Sequence, residues 1–433
     1  MYIKFYRMNI KRAKEIACWV YEEPYSIYSF DGNDHAIDEL MDGTYYYALN
    51  DCNALIGYIC LGRSACVPAG FAAGVYQRND VIDFGLGMRP DLCGKGQGIS
   101  FLKAGLDYTK NLIDNNKLRL TVASFNKRAI SVYEKMGFLK QDSFKKQSVV
   151  NNIEFQTMVT DNGKWIEDLI INYVNSSEHN KAFWDKPLVG FSRGNDSYYS
   201  FFKDDIGGFY LTPAEFMNCE NQSLNISGEF ITVVSWVLPQ TEKTRTENAL
   251  QKSYPSESWV RTRIYGDDFN KELAQYIVDE IKIRGIAATS PMISNLFEYN
   301  RSDKYGYASN WSERHAAFVS GLGTFGLCDG LITKAGKAMR CGSVIIGTAI
   351  KPTVRSYLKH NEYCLYFSKG ICMECARRCP AGAISKKGHN KNKCREYQRN
   401  VIGPITKKKY GIQSTSCGLC QVNVPCENGV PVK

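Results

Sequence analysis

Sixty-three residues near the end of the chain, Cys364 to Cys426, hold eight of its sixteen cysteines: Cys364, Cys372, Cys375, Cys379, Cys394, Cys417, Cys420 and Cys426. Thiolates bind soft metals, so their spacing decides what chemistry they offer. The densest run is Cys372-x2-Cys375-x3-Cys379-Pro380. That spacing holds a four-iron, four-sulfur cubane, with the thiolate before the proline turned to a second cluster. Cys417-x2-Cys420-x5-Cys426 follows. Eight thiolates match two 4Fe–4S clusters at four each. Two zinc ions would also take eight ligands, and Cys-x2-Cys pairs suit zinc. A Cys-x3-Cys-Pro run is unusual for zinc, however, and the stretch has one histidine, His389. A disulfide framework would require an exported chain.

A second candidate lies early. Cys93-Gly94-Lys95-Gly96-Gln97-Gly98 follows a strand expected over 81–88, which stops at Arg89-Pro90 because proline cannot continue a sheet interior. The loop opens an amphipathic helix through Phe101, Leu102, Leu106 and Leu112. Strand, glycine loop and helix start together aim bare N–H groups at an anion. Glycine permits the close approach that a side chain would block. The next strand is expected over 118–123. Asn126-Lys127-Arg128-Ala129-Ile130-Ser131-Val132-Tyr133-Glu134-Lys135-Met136-Gly137-Phe138 comes after it.

Over residues 1–145 these motifs resemble the GNAT acyltransferase superfamily, whose last motif reads Asn-x-x-Ala-x-x-x-Tyr-x-x-x-Gly-Phe. The resemblance implies acetyl-CoA as cosubstrate. Gly94, Lys95, Gly96, Gln97 and Gly98 would cradle its pyrophosphate, and the strand edge ending at Met88 would pair with pantetheine. Asn126 would sit beside the cofactor, and Tyr133 would protonate the leaving thiolate as general acid. The alternative for Tyr133 is a buried helix aromatic. Cys93 departs from the family, which has arginine or glutamine there, so one charge contact to the pyrophosphate is lost. Asp83, Glu22 and Glu23 are candidates for the general base by chemistry alone.

The elements that position these groups suggest two or three domains in 433 residues. At 44% hydrophobic and 23% charged, the composition is that of a soluble globular protein. No signal peptide or apolar span is read, so a cytoplasmic protein without membrane contact is expected. Cys18, Cys52, Cys60, Cys66, Cys93, Cys219, Cys328 and Cys341 form no ligand pattern and read as small buried residues. The net charge is +10, with Lys386, Lys387, Lys391, Lys393, Arg395, Arg399, Lys407, Lys408 and Lys409 late in the chain. Such a run suits an acidic electron donor such as ferredoxin or flavodoxin, or RNA phosphate. A solvated face offsetting cluster charge explains it as well.

Residues 146–180 read as a connector: the stretch 140–160 is polar and leads into one more strand, and a helix is expected over 165–173. Beyond it, Thr212-Pro213 reads as a helix start. A buried strand is expected over 231–238, a helix over 271–284 ending at Gly285, and a strand over 286–289. Asp267 and Asp268 read as turn formers that are able to supply a proton. His315 faces either the core or a cofactor. Gly321 and Gly323 fit either phosphate binding or tight helix–strand packing.

Trp311 to Gly326, with its Gly321-Leu322-Gly323-x-x-Gly326 ending, is followed by an apolar strand and the cysteine stretch. This order over residues 180–433 resembles the epoxyqueuosine reductase and reductive dehalogenase families. The resemblance implies a nitroreductase-like α/β domain over 181–355 and a double-cluster ferredoxin-like domain over 356–433. It implies a corrinoid such as cobalamin, and tRNA as a partner for the epoxyqueuosine branch. Cys364, Cys372, Cys375 and Cys426 would hold one cluster; Cys379, Cys394, Cys417 and Cys420 would hold the other. Seven residues separate Cys364 from Cys372 where the families have two. Ala288-Thr289-Ser290-Pro291 has no acid where the reductases carry one. The expected whole is an α/β (α+β) chain. It joins an acetyl-CoA-dependent N-acyltransferase to an iron–sulfur reductase acting on a small molecule or nucleoside. A non-catalytic electron-transfer or redox-sensing module is the alternative for the second half.

Overall fold

The computed structural model describes residues 3–77, 81–110, 112, 117–147, 152–176, 182–221 and 224–431. The chain divides into two compact units, Met1–Trp165 and Ile166–Lys433.

The first unit is a seven-stranded sheet in the order β1-β2-β3-β4-β5-β7-β6. Its strands are β1 (Lys4–Arg7), β2 (Tyr45–Leu49), β3 (Leu55–Leu61), β4 (Ile82–Met88), β5 (Leu118–Ala123), β6 (Phe138–Lys146) and β7 (Ile153–Thr160). Its helices are α1 (Ile10–Ala17), α2 (Asp34–Leu40), α3 (Pro68–Ala72), α4 (Gly98–Lys110) and α5 (Lys127–Lys135). The core is apolar: Phe84 of β4, Phe101 and Leu102 of α4, Leu120 of β5 and Met158 of β7 are all buried. β7 inserts between β5 and β6, so this unit runs past residue 145. Part of the stretch read as connector is sheet. Asn151 of that stretch lies outside the described residues.

β4 and β5 run parallel and pair only at Ile82↔Leu118 and Asp83↔Arg119. Beyond that point Phe84–Met88 pair with β3 on one side, and with no strand on the other among the described residues. The paired end is clamped by Arg119, whose Nε and Nη2 donate to the two Asp83 carboxylate oxygens at 2.7 and 2.8 Å. Arg119 is buried, its side chain 3% exposed, and also donates to the Val75 carbonyl. Asp83 is therefore a structural anion, not a free base. Removing one member of a buried pair strands the other charge. Asp83→Ala should lower unfolding free energy by about 3–5 kcal/mol, read as a lower denaturant midpoint at constant m-value.

In the second unit four antiparallel strands form a sheet in the order β10-β15-β9-β8. They are β8 (Leu188–Arg193), β9 (Thr232–Pro239) and β10 (Ala288–Thr289), with β15 (Met339–Ile346) added after the hairpins β11 (Tyr299–Ser302)–β12 (Gly306–Ser309) and β13 (Gly323–Phe325)–β14 (Leu331–Thr333). A last short hairpin, β16 (Ile384–Ser385)–β17 (Gly388–His389), lies in the cysteine-rich region. β9 is buried along its whole length, as a continuous apolar run predicts. The helix Pro213–Glu220 starts at Thr212 through a capping box with Glu215, matching the expected start.

The expected helix over 271–284 is longer, Glu257–Ile283. Gly266-Asp267-Asp268 looks like a turn in sequence but is helix interior. Gly266 leaves room for the Trp184 ring, where a Cβ would collide. Asp267 pairs with Arg263 one turn back and with Arg340. Asp267 is thus held in ion pairs within a helix rather than at a loop tip. Gly323 also has a packing role, because a side chain there would collide with the Ile332 carbonyl across the hairpin. Among the described residues no helix is long and apolar enough to cross a membrane.

Candidate functional sites

In the first unit, the chain leaves β4 through a 3-10 turn at Pro90–Leu92 and enters α4 at Gly98. Gly94 and Gly96 have φ of +76° and +78°, a region that favours glycine. The loop folds back so that the first turn of α4 follows it directly, and helix starts leave N–H groups without intrahelical partners. These are the groups an anion takes. Gly94, Lys95 and Gly96 are exposed, and Gln97 and Gly98 partly so. Met88 ends the open part of β4, and its carbonyl accepts from Tyr21 Oη at 2.7 Å.

Asn126 caps α5, its side-chain oxygen accepting from Ala129 N at 3.2 Å. Its amide nitrogen reaches Tyr28 Oη at 3.4 Å, and Tyr28 Oη also accepts from Ala123 N. Asn126 therefore has a structural job in the first unit besides any contact to a cofactor. Tyr133 lies one to two turns on, its ring 6.1 Å from Phe138. Burial holds its hydroxyl well above the ordinary tyrosine range, with Tyr28 adding to the effect. Tyr133, Tyr28, Tyr58 and Tyr21 form one group of neighbouring hydroxyls. A phenol that stays protonated has a proton to give.

Two features of this site are missed in sequence. Arg128 brings its guanidinium to the glycine loop, where Nη1 lies 2.9 Å from the place a Gly94 Cβ would take. It stacks on Tyr25 at 4.4 Å and partly offsets the burial that raises the Cys93 thiol. A cation thus stands beside the loop from another element, where Cys93 lacks one. The second feature is an aromatic group around Tyr58, formed by Trp19, Phe30 and Tyr45. Of the base candidates, Asp83 is tied to Arg119, and Glu22 and Glu23 are exposed, with Glu23 accepting from Ser26.

In the second unit, Cys364, Cys372, Cys375 and Cys426 line one recess with Leu327, Val424 and Lys337. Its empty volume is about 330 Å³, including the part open to solvent. Cys379, Cys394 and Cys417 are electrostatic neighbours, and Cys417 also neighbours Cys420. Gly418, with φ +66°, sits where a side chain would collide with the Trp259 indole. Trp259 Nε1 donates to Ser416 Oγ at 3.0 Å, so the long helix seats this cysteine turn. His389 binds Asp329 at 3.0 Å and also Cys394. These partners, Asp329 first, raise its pKa to about 10.

Among the described residues no group of three or more His, Cys, Asp or Glu has the arrangement that would hold a metal ion. Cys328 is buried, as expected, and its thiol is an electrostatic neighbour of Cys375 and Cys420. Cys18, Cys52 and Cys219 are exposed rather than buried. The late lysines are solvent-facing, and Arg395 stacks on Tyr307 at 4.1 Å.

His315 packs against Phe202, Phe325 and Tyr210. Burial depresses its pKa to about 3. The unfolded chain takes up this proton near the ordinary pKa of 6.5, the folded one far lower. The stabilisation is complete above pH 6.5 and is lost as pH falls towards 3, at up to about 1.4 kcal/mol per pH unit. Between pH 6 and pH 5, above most carboxylate pKa values, His315→Leu should flatten the stability profile in denaturant titrations. Nearby, Glu313 is near Ser343 and Trp311, and burial pushes its carboxyl up to about 8. Ser290 Oγ donates to the Ser343 carbonyl at 2.7 Å.

The acetyltransferase (GNAT) family model matches residues 10–138. No curated protein matches the chain. Among solved structures, a putative phosphinothricin N-acetyltransferase is 16% identical, covering 37% of this chain and 98% of its own, with a TM-score of 0.30. A chimeric spermidine N-acetyltransferase from Vibrio cholerae and hSSAT is 17% identical, covering 38% and 98%, TM-score 0.29. An acetyltransferase of the GNAT family from Bacillus anthracis is 15% identical, covering 36% and 93%, TM-score 0.29.

Proposed function

We propose that the GNAT acetyltransferase domain over residues 10–138 transfers acetyl from acetyl-CoA to an amine, and that the second unit is a two-cluster iron–sulfur oxidoreductase. The observation that carries the first half is the glycine loop and α4 start beside the gap between β4 and β5, with Tyr133 and Asn126 on α5. N–H groups at the loop and the start of α4 bind pyrophosphate, and Arg128 supplies the side-chain cation. The unpaired edge of β4 hydrogen-bonds the pantetheine amides. The amine adds to the thioester carbonyl; as the C–S bond then breaks, Tyr133 gives its proton to the leaving thiolate, and the proton shed by the amine restores the phenol.

The second half rests on the recess between Cys364, Cys372, Cys375 and Cys426. Four cysteines line that recess, the number that one cubane takes. When bound, such clusters carry single electrons between a donor and an acceptor. The chain's own residues hold them: that set for one, and Cys379, Cys394, Cys417 and Cys420 for the other. Glu313, with its raised pKa, is the residue able to give a proton to a substrate reduced beside it. The exposed late lysines suit an acidic electron donor.

The test is composition and binding on anaerobically purified full chain. About eight irons and eight sulfides per chain, together with saturable acetyl-CoA binding, support both halves. A spectral change on adding cobalamin would extend the second half to a corrinoid-dependent reductase. Stoichiometric zinc in place of iron removes the oxidoreductase and leaves the acetyltransferase alone.

A further inference from the structure

Lys337 is a cation with 2% exposure, and the groups around its ammonium are thiols. Cys328, Cys426, Cys420 and Cys375 are its electrostatic neighbours. It lines the recess of Cys364, Cys372, Cys375 and Cys426. A Cβ at Gly330 would meet Cys328 Sγ and Lys337 Cε at 3.3 Å each, which places both around one point.

The backbone before Lys337 is fixed as well. Thr333 closes a turn on the Gly336 carbonyl at 2.7 Å. Gly336 has φ +86°, and a side chain there would collide with the carbonyl of Glu427, the residue after Cys426. The loop that carries Lys337 is thus packed, main chain on main chain, against the loop that carries a candidate ligand.

A buried ammonium is costly unless an opposite charge answers it. Four thiolates around a cubane leave a net negative charge, and one-electron reduction makes it more negative. A cation at the recess favours the reduced state. Charge and hydrogen bonds to sulfur are among the terms that set cluster potentials. Resting on the reading of Cys364, Cys372, Cys375 and Cys426 as ligands of one cluster, we propose that Lys337 is the resident counter-charge of that cluster, donating N–H···S hydrogen bonds to its sulfurs and raising its reduction potential.

The test is a redox titration followed by electron paramagnetic resonance on anaerobic full chain, with dithionite as reductant, for the natural protein, Lys337→Gln and Lys337→Arg. Lys337→Gln should weaken reduction of one cluster at least tenfold, which is 59 mV for one electron, and leave the other in place. Lys337→Arg should hold the first potential within threefold. If Lys337→Gln costs one cluster its iron while Lys337→Arg keeps it, the counter-charge also stands. Unchanged potentials in Lys337→Gln, equal shifts in both clusters, or loss of iron in Lys337→Arg as well would overturn it. A natural protein with no iron–sulfur signal sinks the cluster reading itself, and the role of Lys337 with it.

Discussion

With phenylalanine in place of Tyr133, acetyl transfer should fall on the order of 10²–10⁴-fold, while acetyl-CoA affinity stays within a few-fold. The two outcomes separate because the hydroxyl and the binding groups belong to different elements. Pyrophosphate binding falls to the Gly94–Gly98 loop, the α4 start and Arg128, none of which needs Tyr133. The phenol matters only as the thiolate leaves. Enclosure on α5 keeps it protonated, so its loss removes a proton from the transition state and little from the ground state. The signature is a fall in kcat with KM for acetyl-CoA nearly unchanged. Phenylalanine retains the ring packed on Phe138, so the melting temperature is a control that should hardly move. Turnover equal to the natural protein's would remove Tyr133 from the mechanism. The same assay on Arg128→Ala should instead raise KM, which tells a binding cation from a proton donor.

What was legible in the sequence follows the range of the forces involved. β5 was expected over 118–123 and lies at Leu118–Ala123, because an apolar run between polar ends is a local signal. The start of α4 after the glycine loop was equally local, whereas the capping role of Asn126 was not read. Of the second sheet only single strands were visible, β9 as a buried run and β10 within the expected strand over 286–289. With β8 and β15 they come from far apart along the chain, and no local pattern states that pairing. Gly266-Asp267-Asp268 misled because turn chemistry and helix interior share residue types. Trp184, Arg263 and Arg340 decide the matter through contacts that exist only in the folded chain. Arg128 and Glu313 were passed over for the same reason: each lies within a recognisable motif but acts on a segment outside it. Lys337 carries no motif at all. Its meaning comes from burial among sulfurs, which three-dimensional packing alone reveals.

Cys417→Ala should therefore halve the iron, from about eight to about four per chain, and Cys372→Ala should halve it too. Most of the cysteines divide by neighbourhood, with Cys420 close to both groups through Cys328 and Lys337. Cys364, Cys372, Cys375 and Cys426 share one recess, and Cys417 instead neighbours Cys379 and Cys394 on a turn seated against Trp259. Each substitution breaks one set and leaves four thiolates in the other. Cluster binding is also folding energy for the loops that hold it, so the variants should lose thermal stability as well as iron. Spectra of the reduced proteins should differ, each showing the cluster that remains. Cys328 provides the control. It is an electrostatic neighbour of Cys375 and Cys420 but belongs to neither set, so Cys328→Ser should keep about eight irons. If Cys328→Ser loses half, Cys328 is a ligand and one of the eight is not. If Cys417→Ala and Cys372→Ala each lose all iron, the cysteine-rich region assembles as one unit and the two-set division is wrong.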